Sequence, residues 1–207
     1  MDTYNELLKV MHDRKSVKLY QKDADISKEE LSEMLKEATT APSSWNLQHW
    51  HFMVFKGEEV KQKLLPIAFN QPQVKDASAV IAILGDLEAN KNAEAIFRPI
   101  LEGGFMTEEA YNALLGNING AYQMEGTARN SAILNASLAA MQFMLIAKAK
   151  GWDTCPMGGF NPVQLVEEFN IDKRYTPVML IALGKAAKEA HPTSRFDIEK
   201  MTTWIEG

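Results

Sequence analysis

The stretch from Ser131 to Lys150, S-A-I-L-N-A-S-L-A-A-M-Q-F-M-L-I-A-K-A-K, constrains the fold more than any other. At helical spacing it is apolar on nearly every side, so it needs burial all round. Asn135, Ser137, Gln142 and Lys148 interrupt it, which fits a buried helix rather than a membrane span. In a chain of 207 residues, that cover comes from the centre of the fold or from a subunit interface. Gly151 follows it as the helix-ending glycine.

The remaining pattern supplies material to pack around such a helix. Asp2 to His12 reads as a short helix. Ser27-Lys28-Glu29-Glu30 is a capping box that opens a helix to about Thr39, with Leu31, Met34, Leu35 and Ala38 as its buried stripe. Strands are predicted at 51–55, 79–84 and 177–183, the second apolar throughout and so covered on both faces. Glu58 to Ala68 reads as a helix. Asn161-Pro162 places an N-cap and an N1 proline at the start of another, running to about Asn170. Residues 88–120 read as a helical excursion broken near Gly103-Gly104; its Phe97, Phe105, Tyr111 and the following Tyr122 are read as packing rather than pocket lining. No repeat or linker divides the chain, so residues 1–207 are expected to form one domain, with 191–207 a tail long enough to reach a partner subunit.

Four loops carry the candidate chemistry. Arg14, Lys15, Ser16 and Lys18 follow the first helix and suit either a phosphate or plain solvation. Ala41 to Phe52 holds Pro42, Ser43, Ser44, Asn46 and Gln48, neutral donors and acceptors on a proline-restrained turn. Asn70, Gln71 and Gln73 offer amides that match a ring edge bearing a carbonyl beside an N–H. Pro156-Met157-Gly158-Gly159 reads as a loop whose glycines let the backbone approach a flat ligand.

Other chemistries find no support. The net charge of −5 argues against a nucleic-acid binder. There is no G-x-G-x-x-G after a strand, P-loop, H-E-x-x-H, C-x-x-C or G-x-S-x-G. His49 and His51 lack a third ligand spaced with them, so no metal site is expected. The single cysteine, Cys155, permits no internal disulfide and reads as a small buried residue rather than a nucleophile. The N-terminus has no signal-peptide pattern, and with a lone thiol the expected location is cytoplasmic.

A phosphate grip, polyol partners, a ring-edge reader and a glycine floor together describe FMN. From R-K-S-V-K-L-Y at 14–20 to Arg195, in order and spacing, the chain resembles the nitroreductase family of FMN-dependent NAD(P)H oxidoreductases, in particular a bacterial subgroup with a C-P-M-G-G loop. The resemblance implies an α+β fold, a mainly antiparallel central sheet flanked by helices, in an intertwined homodimer. It implies that Arg14, Lys15, Ser16, Lys18, Lys185 and Arg195 hold the phosphate and ribityl. Pro42, Ser43, Ser44 and Asn46 would come from the partner subunit, Asn70 or Gln71 would read the ring, and Pro156, Met157, Gly158 and Gly159 would lie beneath it, with the Gly158 N–H facing flavin N5. Two departures stand out: many members carry Arg where Lys18 stands, and many carry an acid where Gly158 stands.

The implied activity is ping-pong hydride transfer from NAD(P)H through flavin N5 to nitroaromatic, quinone or enone acceptors, with no catalytic side chain required. The alternatives are another flavin reaction on the same scaffold (dehalogenation, flavin fragmentation or azoline oxidation) and a non-catalytic flavin-binding dimer. Neither nucleic acid nor membrane is an expected partner.

Overall fold

A computed structural model describes residues 2–207. In chain order the elements are α1 (Thr3–Asp13), α2 (Lys28–Ala38), β1 (Trp50–Phe55), α3 (Glu58–Ile67), α4 (Pro72–Asp76), β2 (Ala79–Asp86), α5 (Ala93–Glu102), α6 (Glu108–Tyr122), α7 (Thr127–Ala149), β3 (Asp153–Met157), α8 (Pro162–Glu168), β4 (Tyr175–Gly184) and α9 (Ile198–Met201). The strands form one sheet in the order β1-β2-β4-β3, and every neighbouring pair is antiparallel.

The alternation of side chains along β2 and β4 divides the core in two. Val80, Ala82 and Leu84, with Leu180 and Ala182, face α3, α8 and Tyr20. Ala79, Ile81 and Ile83, with Ile181 and Leu183, face α2 and α7. A period of two on a doubly covered strand requires apolar residues at every position, as the 79–84 run has. Contact with α7 is so close at Gly85 that a Cβ there would lie 2.9 Å from the Ala132 backbone.

Helix α7 meets the length and composition of a membrane span, yet it lies on this sheet and buries Ala132, Asn135, Ala136, Ala139, Ala140 and Phe143. Burial on every side, expected from its sequence, is not reached within one chain. Leu134, Leu138 and Met141 are 61%, 41% and 41% exposed. Their spacing places them on one stripe. The apolar tail is equally uncovered, with Trp204 at 78% exposure.

Local signals account for several boundaries. Ser27 accepts from the Glu30 N–H at 3.0 Å, whereas the Glu30 carboxylate takes the Trp152 Nε1–H at 2.7 Å, so only half of the capping box closes. The Asn161 side chain accepts from the Val163 and Gln164 amides, and Gly151 has φ +76°. Of the expected loop 156–159, Pro156 and Met157 instead end a strand, β3. Pro156 is compatible with this because β3 is an edge strand, where a missing N–H costs no ladder bond.

The excursion is tied down by a polar clamp. Arg174 donates through Nε and Nη2 to the two Asp86 carboxylate oxygens at 2.8 and 2.6 Å, and through Nη2 to Asn92 Oδ1 at 2.8 Å. Asn92 in turn donates to the Leu47 carbonyl at 3.0 Å. Above this clamp, Leu47, Ala89, Ala93 and Ile118 form a third apolar cluster, with Phe97 and Tyr122 packed against it. Phe105, by contrast, projects into solvent.

Candidate functional site

The chain after α1 runs beside β3. Ser16 pairs with Thr154, and the Val17 N–H donates to the Thr154 carbonyl at 3.0 Å. This extended backbone sends Val17 into the core and leaves Ser16 and Lys18 outward. They line a cleft of about 560 Å³ with Gln71, Cys155 and the Pro156–Gly159 segment. That volume is within the range of small-molecule sites.

The glycine floor has two properties that matter. A Cβ on Gly158 would meet nothing within 4 Å, and one on Gly159 would meet only Gln71 Nε2 at 3.8 Å. Packing within the chain therefore does not require either glycine, in contrast to Gly184, where a Cβ would lie 2.6 Å from Tyr20. Among the described residues, neither the Gly158 nor the Gly159 N–H donates to any protein group. Two donors without a protein acceptor and the space of two absent side chains thus belong to residues that line one cleft, together with Lys18.

Cys155 also borders the cleft but is buried, and burial pushes its thiol above the ordinary value while Lys18 opposes the shift. It fits a small packing residue better than a nucleophile. Its neighbour Tyr20 is likewise raised, chiefly by burial, and donates to the Ala182 carbonyl at 3.2 Å.

Other sequence-predicted residues lie apart from this cleft. Arg14 caps α1 through its backbone, and its guanidinium has no partner among the described residues. Lys15 opens onto a neighbouring cavity of about 260 Å³ with Lys148 and Asp153. Lys185 donates to the Gly151 carbonyl at 2.6 Å and sits 4.0 Å over the Trp152 ring, away from the cleft. Asn70 is exposed and outside the lining, whereas Gln71 and Gln73 are part of it. Arg195 is exposed, its guanidinium donating to the Ser194 carbonyl at 2.7 Å.

Pro42, Ser43, Ser44 and Asn46 do not line the cleft of their own chain. Their loop is fastened to α7. Asn135 Oδ1 accepts from the Ser44 N–H at 2.9 Å, and Ser43 Oγ accepts from the Gln48 N–H at 3.0 Å. Trp45, Asn46 and Gln48 have φ of 51°, 53° and 54°, a left-handed backbone that disfavours residues with a Cβ. Such strain persists only where surrounding contacts hold it, as Asn135 does here.

Lys188, His191 and Thr193 form a wall that the sequence reading missed. The available signal was Lys188, a second cation just beyond the end of β4. The histidines expected not to bind metal are separated in environment. His49 is fully buried, with burial lowering its pKa, while His51 is exposed and stacks 4.6 Å from Tyr175.

Residues 11–185 match the model of the nitroreductase family. The chain belongs to that family. The nitroreductase-family chain is 57% identical to YodC of Bacillus subtilis, provisionally named an NAD(P)H nitroreductase, over 96% of this chain and 98% of that one. It is 35% identical to an enone reductase of CLA biosynthesis from Lactiplantibacillus plantarum, over 97% and 95% of the two chains. A solved structure from Exiguobacterium sibiricum, a provisional nitroreductase in complex with FMN, superposes with a TM-score of 0.88 at 39% identity, covering 96% of this chain and 97% of that one. The antiparallel sheet flanked by helices is thus the nitroreductase fold, and the protein is an oxidoreductase.

Proposed function

We propose that the cleft holds FMN and that the protein transfers reducing equivalents from NAD(P)H to small-molecule acceptors, namely nitroaromatics, quinones or enones. The observation that carries this reading is the pair of unclaimed N–H groups on Gly158 and Gly159, on a surface with no Cβ. When bound, FMN supplies two-electron hydride chemistry that side chains cannot. The residues present fit it. Ser16 and Lys18 offer a hydroxyl and a cation for the phosphate and ribityl end, with Arg14 free to join them. The glycine donors favour negative charge on the ring, and Gln73 closes one edge of the cleft.

Donor and acceptor use the same open face in turn, which is the ping-pong order. The protein works as a cytoplasmic homodimer, in which 42–46 and Arg195 complete the partner's site and 191–207 reach across. The uncovered α7 stripe and apolar tail support that assembly. Residues 88–120 shape the acceptor side.

The purified protein is expected to show flavin absorbance that bleaches when NADH or NADPH is added without oxygen. Flavin bands that do not bleach would favour a non-catalytic binder, and a protein that stays colourless with added FMN would sink the reading. Arg14→Ala is expected to weaken FMN binding by about 1.5–3 kcal/mol through lost charge-assisted bonds, measured by fluorescence titration of the flavin-free protein. Unchanged affinity would remove Arg14 from the site.

A further inference from the structure

Gln71 borders the cleft, but its carboxamide is spent within the protein. Nε2 donates to the Gly159 carbonyl at 2.7 Å and to the Ala68 carbonyl at 3.1 Å. Oε1 accepts from Gln73 Nε2 at 2.9 Å, and the same Gln73 nitrogen lies 3.3 Å from Met157 Sδ. Both Nε2 protons of Gln71 are therefore used. The expectation that this amide reads a ring edge does not agree with that geometry.

The bonds have a directional consequence. The Gly159 carbonyl and the Phe160 N–H belong to one planar peptide, on opposite sides of it. Pinning the carbonyl to Gln71 turns the Phe160 N–H toward the Gly158 carbonyl, which accepts it at 3.2 Å. That second carbonyl shares its peptide plane with the Gly159 N–H. Holding it toward the Phe160 N–H leaves the Gly159 N–H pointing the other way across the same plane, on a residue that lines the cleft. Two rigid planes thus transmit the orientation of one side chain to one free donor.

We infer that Gln71 is a positioning residue: it fixes the Gly158–Gly159 peptide planes so that the Gly159 N–H is presented to the flavin ring, while Gln73 holds Gln71 in place. The role rests on the FMN reading above. It separates Gln71 from the residues that touch the cofactor, and it explains the buried position of Gln73, which is 4% exposed.

The test compares wild type with Gln71→Glu, which keeps the shape but removes the donor to Gly159, and with Gln71→Met, which removes the polar group. In flavin-free protein, amide exchange at Phe160 read by NMR should speed up about five- to tenfold in both variants. In FMN-loaded protein, the flavin potential should fall by about 30 mV, a tenfold weaker preference for the reduced form of a two-electron couple. A merely structural residue would change thermal stability without moving the potential. Wild-type exchange at Phe160 in either folded variant overturns the clamp. Faster exchange with an unchanged potential overturns the link to the ring. If wild type binds no FMN, the cofactor reading fails, while the exchange experiment still decides the clamp.

Discussion

Arg174→Ala is expected to destabilise the protein by about 3–5 kcal/mol, the usual consequence of removing one partner of a buried ion pair. The Asp86 carboxylate is 4% exposed and takes two Arg174 bonds, at 2.8 and 2.6 Å. Without the guanidinium it retains the Glu88 N–H at 2.9 Å and a long contact from Asn92 at 3.4 Å. Those two neutral donors do not balance a desolvated charge. Arg174 itself is partly open to solvent, so Asp86→Asn is the milder change: it removes the charge and leaves an arginine that water can reach. Urea denaturation of the two variants checks the order. A loss below about 1 kcal/mol for Arg174→Ala would mean that Asp86 is relieved by another group, since that is the scale of exposed pairs. Because Asn92 shares the clamp, the excursion should loosen first, seen as faster exchange in α5 before the sheet responds.

Gly158→Val is expected to abolish FMN retention while leaving the fold intact. The added side chain meets no protein atom within 4 Å of its Cβ, so the apoprotein has little reason to unfold. The space it fills is the cleft floor. A branched side chain there lifts the ring away from both glycine donors, and the loss of those bonds with the steric cost should weaken binding at least about a hundredfold, or roughly 3 kcal/mol. Flavin content after gel filtration and far-UV circular dichroism read the two halves of this expectation. Full flavin content in Gly158→Val would place the ring elsewhere.

The fold was legible where a residue's chemistry acts locally. Ser27, Asn161-Pro162 and Gly151 mark helix ends because their hydrogen bonds or backbone angles are satisfied within a few residues. The doubly covered β2 declared itself by having no polar side until its end. Strand β3 was missed because its proline, and the glycine pair that follows it, resemble loop chemistry, and only its edge position makes Pro156 acceptable. Of the site, Ser16, Lys18 and the glycine pair were readable, since their residue types have few other uses in that order. Lys185 was not: its direction is set by Gly151 and Trp152, which sequence spacing does not reveal. The wall at 188–193 was hidden for a similar reason. Its course depends on the bridge between Tyr20 and Ala186 and on the Gln21 amide donating to the Ala186 carbonyl at 2.9 Å, contacts between distant parts of the chain.

The strand order has a consequence for how the protein is made. β4 sits between β2 and β3 and, among the described residues, is the only strand that pairs with β3; its register joins Ala79 to Leu183 and Thr154 to Leu183. During synthesis, β1 and β2 can pair as a two-stranded ribbon, but such a ribbon is marginal alone. The apolar inner rim of β2 and the whole of α7 leave the ribosome before the strand that completes their shelter. Closure of the sheet waits for residues 175–184, so the nascent chain carries its most adhesive surfaces uncovered until β4 has been made.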